Sequence, residues 1–345
     1  MVDLDERLLS GFSFGCLPNC GLCCFASPRV SPEEEGRLRS ALPHLEVASS
    51  GRDRLLAARP DGGACHLLRQ LSCSAHRLRP VPCREYPVTV HVGTRLQASL
   101  VLTCPGVSLG GLRDSGNGRA ITPATGFDSE LASVRARLGA EAERRLTNTT
   151  RRRRRLAAYH SHEGRWTDEE EAREQLLRRR LVPDASEYRP QSLPSVEEGL
   201  ELLPMFFDRR SGPVAISDSL GGWDLRLLSE EGGSDTLGVF VPPTIAPGLS
   251  LEGRILLEGY LRYWLLRDAF LAAVQLSLSD RNEPSVEQAA LHDLWTIGSD
   301  VMARAAVRSK LRGGSGTPLS PEDVGFGIRA TDQDWLDRPT WGERF

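Results

Sequence analysis

The chain has 345 residues, 40% of them hydrophobic, which is enough to bury a sizeable core and, on length, to form two domains. Its formal charge of -3 is nearly balanced, which excludes a global positive field for nucleic acid or anionic lipid. Lys310 is the only lysine among 43 basic residues, so amine chemistry such as a Schiff base has a single candidate.

Residues 1–15 carry Asp3, Asp5 and Glu6 and lack the basic start and apolar run of a secretory leader. A cytoplasmic protein with reduced thiols is the expectation. Ser31-Pro32-Glu33-Glu34 predicts a helix start, with Ser31 as cap, Pro32 at the first helical position and Glu34 closing a capping box, and the helix runs to about Leu42. From Tyr86 to Cys104 the period changes to two: Val88, Val90 and Val92 alternate, Gly93-Thr94 turns, and Leu96, Ala98, Leu100 and Leu102 alternate back. That predicts a β-hairpin whose open end brings Cys83 and Cys104 near one another. Gly106 to Phe127, rich in Gly, Ser and Asn, reads as a linker.

Helices follow over about 129–147, 167–182 (capping box Thr167 to Glu170) and 195–207 (Ser195 to Glu198). Residues 213–242 turn to strands, with Gly221-Gly222 as a hairpin turn. A long apolar helix near 252–279 is expected to pair with another near 285–310, started by Ser285 and Gln288. Glu258, Arg262, Arg267 and Asp268 interrupt the apolar run from Ile255 to Leu278, which marks it as a buried helix and not a membrane span. Residues 318–345, with their prolines and tryptophans, are expected to wrap the surface. The fold class that results is α+β. A small cysteine-rich domain over 1–107 has one helix and a hairpin, a linker covers 108–128, and 129–345 is mainly helical with a short antiparallel sheet near 213–242.

All eight cysteines lie in the first 104 residues: Cys16-x3-Cys20-x2-Cys23-Cys24, then Cys65, Cys73, Cys83 and Cys104. Crowded thiolates repel, and a metal ion or iron–sulfur cluster is the usual counter-charge. Cys20 and Cys23, with Gly21 between them, form a knuckle that aims two sulfurs at one point, and Cys16 lies a short turn upstream. Adjacent side chains diverge, so Cys23 and Cys24 serve either two neighbouring sites or one site plus a supporting thiol. Eight thiols suffice for two four-cysteine sites or for one cluster with spares. Zinc ribbons carry two C-x2-C knuckles and this chain has one, while Cys104-Pro105 matches the end of bacterial ferredoxin motifs. The cofactor reading is an iron–sulfur cluster, [4Fe–4S] in type, or zinc. Arg77, Arg79 and Arg84 flank the later cysteines, and Arg79 and Arg84 are expected to offset the site's negative charge and donate to sulfur.

These residues resemble the YkgJ-type (CxxCxxCC) cysteine-cluster family over about residues 12–107. The resemblance rests on Cys16-x3-Cys20-Gly21-x-Cys23-Cys24 before Ser31-Pro32-Glu33-Glu34, then Gly63-x-Cys65-x7-Cys73, Arg79-Pro80-x2-Cys83-Arg84-x-Tyr86-Pro87 and Cys104-Pro105-Gly106. The first spacing is three residues where the family more often has two. The resemblance implies a zinc- or iron-chelating domain. Flagellin lysine methylases carry a similar cysteine cluster, which adds an iron–sulfur-dependent, methyl-transfer-like protein-modifying enzyme as the alternative function.

Three further readings compete. Cys16-x3-Cys20-x2-Cys23 has the spacing of radical S-adenosylmethionine enzymes, but that fold needs a strand before the motif and repeated βα units, and a helix and hairpin follow here. Arg151 to Arg155 suit phosphate contacts, which makes a metal-stabilised nucleic-acid binder a second alternative; acidic neighbours (Glu141, Glu143, Glu169 to Glu171) and the lack of aromatic interleaving favour a solvated face or a protein-partner surface. His160-Ser161-His162-Glu163 reads as surface histidines, and His66 and His76 stand near cluster cysteines without being needed as ligands. Trp264 and Trp295 fall on the two apolar helices and read as core. The leading function is therefore a metal-binding protein with a structural or redox role, its helical region contacting a protein partner or substrate.

Overall fold

The structure is a computed structural model that describes residues 3–25, 28–50, 53–59, 63–93, 95–114, 123–139, 142–151, 154, 169–193, 203–208, 211–220, 222–278, 283, 285–314, 318–336 and 343–344. In the first third the chain forms β1 (Leu4–Asp5), α1 (Pro32–Ala41), β2 (Val47–Ser50), β3 (Asp53–Leu56), β4 (Leu68–Arg69), β5 (Ser72–Cys73), α2 (Val81–Glu85), β6 (Val88–Val92) and β7 (Leu96–Leu100). Helix α1 starts as its sequence dictates. The Glu34 N–H donates to Ser31 Oγ at 3.2 Å, and the Ser31 N–H donates back to the Glu34 carboxylate at 3.2 Å.

The expected hairpin is β6–β7, with Val90 opposite Ala98. It is the centre of a four-stranded sheet in the order β1-β7-β6-β12, where β12 is Glu343–Arg344. Strict alternation would leave one face wet, yet both faces of β7 are buried. Polar residues on the hairpin are paired to match: His91 Nε2 meets Ser99 Oγ at 2.8 Å, and Gln97 accepts from the Asp268 N–H at 2.7 Å.

Beyond the hairpin come α3 (Gly111–Asp114), α4 (Asp128–Arg137), α5 (142–151) and α6 (Glu169–Leu177). The stretch read as a linker is partly built into the core, with Val107, Leu112 and Phe127 buried. The helix expected over 129–147 is two helices, because α4 ends at Arg137 and Gly139 follows its cap. Helix α6 stops at Leu177, short of the expected 182, and the proposed cap Thr167 lies outside the described residues.

The second sheet is antiparallel, in the order β11-β10-β9-β8: β8 (Met205–Asp208), β9 (Gly212–Ser219), β10 (Gly222–Leu228) and β11 (Ser234–Phe240). The end of the helix expected over 195–207 is thus strand, since Met205 and Phe206 pair with Ala215 and Val214; its start at Ser195–Glu198 lies outside the described residues, as does Gly221 of the turn. An aromatic pair beside an open strand edge gains more from pairing than from a helical turn.

The C-terminal part is helical: α7 (Leu251–Leu266), α8 (Asp268–Ser277), α9 (Val286–Leu311) and α10 (Pro321–Leu336). The single helix expected over 252–279 is broken at Arg267, whose backbone turns extended. Its guanidinium, 1% exposed, donates to the Leu100 carbonyl at 2.9 Å, reaches Asp332 at 3.4 Å and lies 4.0 Å over the Trp264 ring. Ser285 caps α9, its Oγ accepting from the Gln288 N–H at 3.3 Å.

Residues 318–336 do not wrap the surface. Ser320 and Asp323 start α10, Val324, Ile328 and Ala330 are buried, and Gly327 lets α10 approach the Val301 carbonyl of α9 so closely that a Cβ would strike it. The largest core joins Leu8, Val90 and Leu102 to Tyr260, Val301 and Ile328, so packing crosses the 108–128 segment. Among the described residues no helix is long and apolar enough to cross a membrane.

Candidate metal centre

Short backbone links gather the cysteines from distant parts of the chain. The Gly15 N–H donates to the Gly106 carbonyl at 3.1 Å, and Phe14 bridges Val107, which lays the start of the Cys16 segment beside the Cys104 turn. Gly21, at φ +63, reverses the chain between Cys20 and Cys23, and the Cys24 N–H closes that turn on the Gly21 carbonyl at 2.9 Å. The Cys65 N–H then donates to the Cys24 carbonyl at 2.6 Å. The β4–β5 ribbon sets Cys73 opposite Leu68.

Cys83 sits in α2, and Glu34 anchors that helix to α1, since its carboxylate accepts from the Val81 N–H at 2.7 Å while also serving the α1 cap. Cys104 is buried at the end of the hairpin return, held by Arg329 of α10, whose guanidinium takes the carbonyls of Leu102 (2.8 Å), Cys104 and Val107 (2.6 Å).

Cys23 is the hub of this arrangement. Its charge is felt at Cys16, Cys20, Cys24, Cys65, Cys83 and Cys104, and it feels that of Cys73 in turn. Cys24 is in hydrogen-bonding contact with both Cys23 and Cys73; its proton holds those two thiols down and is itself retained strongly. Burial is the first cause that pushes Cys20 up to about 11 and Cys104 up to about 12, and it also raises Cys16, Cys65 and Cys83. Tyr86, half-buried beside Cys104, is raised too, by desolvation first and then by the thiolate charges.

Within this crowd the mutual fields fall into two groups that meet at Cys23. Cys20 feels Cys16 and Cys23, and Cys104 feels Cys23 and Cys20. Cys83 feels Cys65 and Cys73, Cys65 feels Cys73, and Cys24 touches Cys73.

Arginines oppose the negative field. Arg79 favours the thiolates of Cys16, Cys23, Cys73 and Cys83, and Arg329 those of Cys20 and Cys104. Arg84 Nη2 stands 3.9 Å from Glu34 of the α1 cap. His66 has both ring nitrogens on backbone, with Nδ1 at 3.0 Å from the Ala57 carbonyl and Nε2 accepting from the Glu46 N–H at 3.3 Å. His76, beside the Arg79 cation, is lowered. The gathered donor set is therefore all sulfur. Among the described residues no three donor side chains stand together at metal-ligating spacing.

Residues 15–105 match the CxxCxxCC family model, a zinc- or iron-chelating domain. The matched stretch begins one residue before Cys16 and ends one residue after Cys104, so it spans all eight thiols. It supports metal binding by this part of the chain. No curated protein and no solved structure matches the chain.

Two supports escaped sequence reasoning. Arg329 lies 225 residues from Cys104, in a helix read as surface wrapping, and no local pattern announces the contact. Glu230, in the β10–β11 turn, accepts from the N–H groups of Gln70 (3.2 Å) and Leu71, both in left-handed backbone, and so fixes the loop before Cys73. Its carbonyl also accepts from Arg59 at 2.7 Å. The histidines at 160 and 162, with Arg152, Arg153 and Arg155, lie outside the described residues.

Proposed function

We propose that the first third of this protein holds iron–sulfur on two adjoining four-thiolate sets, in a structural or redox role. Cys16, Cys20, Cys23 and Cys104 form one set; Cys24, Cys65, Cys73 and Cys83 form the other. The observation that carries the reading is the set of short backbone links that lay the Cys16 segment beside the Cys104 turn and join Cys24 to Cys65. Dividing the vicinal pair between the sets is part of the proposal and rests on Cys24 lying against Cys73 and on Cys20 standing in the fields of Cys16 and Cys23. A four-thiolate site is net negative. Arg79 and Arg329 lower that cost, while burial of Cys65 and Cys104 keeps water from part of the site. A bound cluster supplies a cross-link among the loops and, with iron, a site for one-electron exchange.

Eight sulfurs with no histidine partner suit iron–sulfur, and zinc on the same thiols is the competing outcome. The test is metal analysis of protein purified without air, alongside Cys20→Ser and Cys83→Ser. Each substitution removes a donor from a different set, so each should lower the metal content by about half, and together they should abolish it. Unchanged metal in both single variants overturns the ligand assignment, and total loss in either alone overturns the division into two sets.

A further inference from the structure

Away from the cysteines, an open cleft of about 420 Å³ is lined by Arg113 of α3, Arg178, Arg179 and Arg180 after α6, and Arg254 and Arg262 of α7. Glu258 is the single acidic residue in the lining. Arg254, Glu258 and Arg262 repeat every four residues, so they form one stripe on α7. The stripe is held firmly. Arg262 pairs with Glu258 at 3.1 Å and donates to the Leu177 carbonyl at the end of α6 at 3.0 Å, while Glu258 accepts from the Leu181 N–H at 3.3 Å. Across the cleft, Gly259 lets the Leu112 carbonyl come so close to α7 that a Cβ would strike it, which fixes α3 and Arg113 against the stripe.

The charge balance is uneven. Arg178, Arg179 and Arg180 each have a carboxylate, Glu174 at 3.6 Å, Glu287 at 3.8 Å and Asp184 at 2.5 Å. Among the described residues, no carboxylate pairs with Arg113 or Arg254, while each of the other four guanidinium groups has one. Gathering cations without counter-charge is unfavourable, and an anion relieves it. Planar guanidinium forks match phosphate oxygens two at a time. The volume lies in the range of about 300–1,000 Å³ typical of small-ligand sites, and Leu112 and Ile255 add an apolar wall.

We propose that this cleft binds a small phosphate-bearing organic molecule, with Arg113, Arg254 and Arg262 taking the phosphates and Leu112 and Ile255 the apolar part. A single cleft of about 420 Å³ matches one small ligand in size, and a polynucleotide is the competing outcome of the test. The site is distinct from the thiol centre and does not depend on which metal that centre holds.

The test uses the full chain as purified and a fluorescent nucleoside diphosphate, with inorganic pyrophosphate as competitor. The expected result is saturable binding displaced by pyrophosphate. Arg113→Ala and Arg254→Ala should each weaken it about tenfold, as loss of a charged hydrogen bond does, and Arg312→Ala, at the far end of α9, should leave it unchanged. Both cleft substitutions are at exposed positions, so circular dichroism should match the parent. No saturable binding, or equal binding by both cleft variants and the parent, overturns the proposal. Tighter binding of a short single-stranded RNA that pyrophosphate fails to displace reassigns the cleft to a nucleic-acid backbone and overturns it as well.

Discussion

Arg267 and Asp332 show how much one residue pair can decide. Arg267 breaks the apolar run into α7 and α8 because its guanidinium must reach Asp332, the Leu100 carbonyl and the Trp264 ring. Asp332 in turn accepts from the Leu102 N–H at 2.6 Å and the Tyr260 hydroxyl at 3.2 Å, and burial raises its carboxyl despite the arginine. Removing one partner strands the other. Arg267→Met should therefore cost about 3–5 kcal/mol in chemical denaturation, and Arg267→Met with Asp332→Leu should recover most of it. Equal losses in the single and double variants would contradict this. At the metal centre, Cys23 is the residue with the widest reach, so Cys23→Ser should change the remaining thiols most: alkylation at neutral pH should speed up at several of them, not at one neighbour alone. The cysteines themselves were plain in the sequence, since residue type and spacing carry them. Arg329 and Glu230 were not, because what makes them important is a contact more than 150 residues away along the chain.

At the scale of elements, local chemistry proved legible where it was complete within a few residues. The α1 capping box, the β6–β7 alternation and the Ser285 cap of α9 all formed as read. Misreadings fell where tertiary contacts overrode local preference: β8 in place of a helix end, the break at Arg267, and α10, whose Pro321 starts a buried helix in place of a surface strap. The β10–β11 turn is a support for the cysteine loop. Glu230→Ala would leave the Gln70 and Leu71 N–H groups without their acceptor, so it should cost about 1–3 kcal/mol and raise hydrogen exchange at 70–73; unaltered exchange there would remove the turn from the account. Strand β1 is tied to the hairpin through Asp5, which pairs with Arg7 at 2.8 Å and Arg95 at 3.2 Å. The hydrogen bond from Arg7 is the first cause that holds the Asp5 carboxyl below its ordinary 3.8. A lowered folded-state value means the contribution is complete above 3.8 and is lost as pH falls through the folded value. Stability of the parent over Asp5→Asn should thus shrink below pH 4 and vanish in stronger acid, read from urea midpoints; a constant gap across pH would show that the charge is irrelevant.

The whole molecule ties the Cys104 side of the thiol centre to the helices through its largest core, while Cys24, Cys65 and Cys73 pack on two smaller clusters. The hairpin that returns to Cys104 also packs on the C-terminal helices, and α10 supplies the arginine that holds the Cys104 turn. Arg329 links the Cys104 turn to α10, so loss of the proposed metal should be felt in the helical region. The family match covers residues 15–105 and says nothing of the remainder, where the described structure is mainly helical with a four-stranded sheet. The central claim is that eight cysteines from Cys16 to Cys104 bind iron–sulfur. Its most direct measurement is the absorbance spectrum of protein purified without air, together with its iron and acid-labile sulfide. The account predicts a brown protein absorbing near ~400 nm, as thiolate-ligated iron–sulfur does, with iron and sulfide in equal amounts. A colourless protein with stoichiometric zinc would contradict the iron–sulfur assignment, and freely titrating thiols with no metal would contradict metal binding altogether.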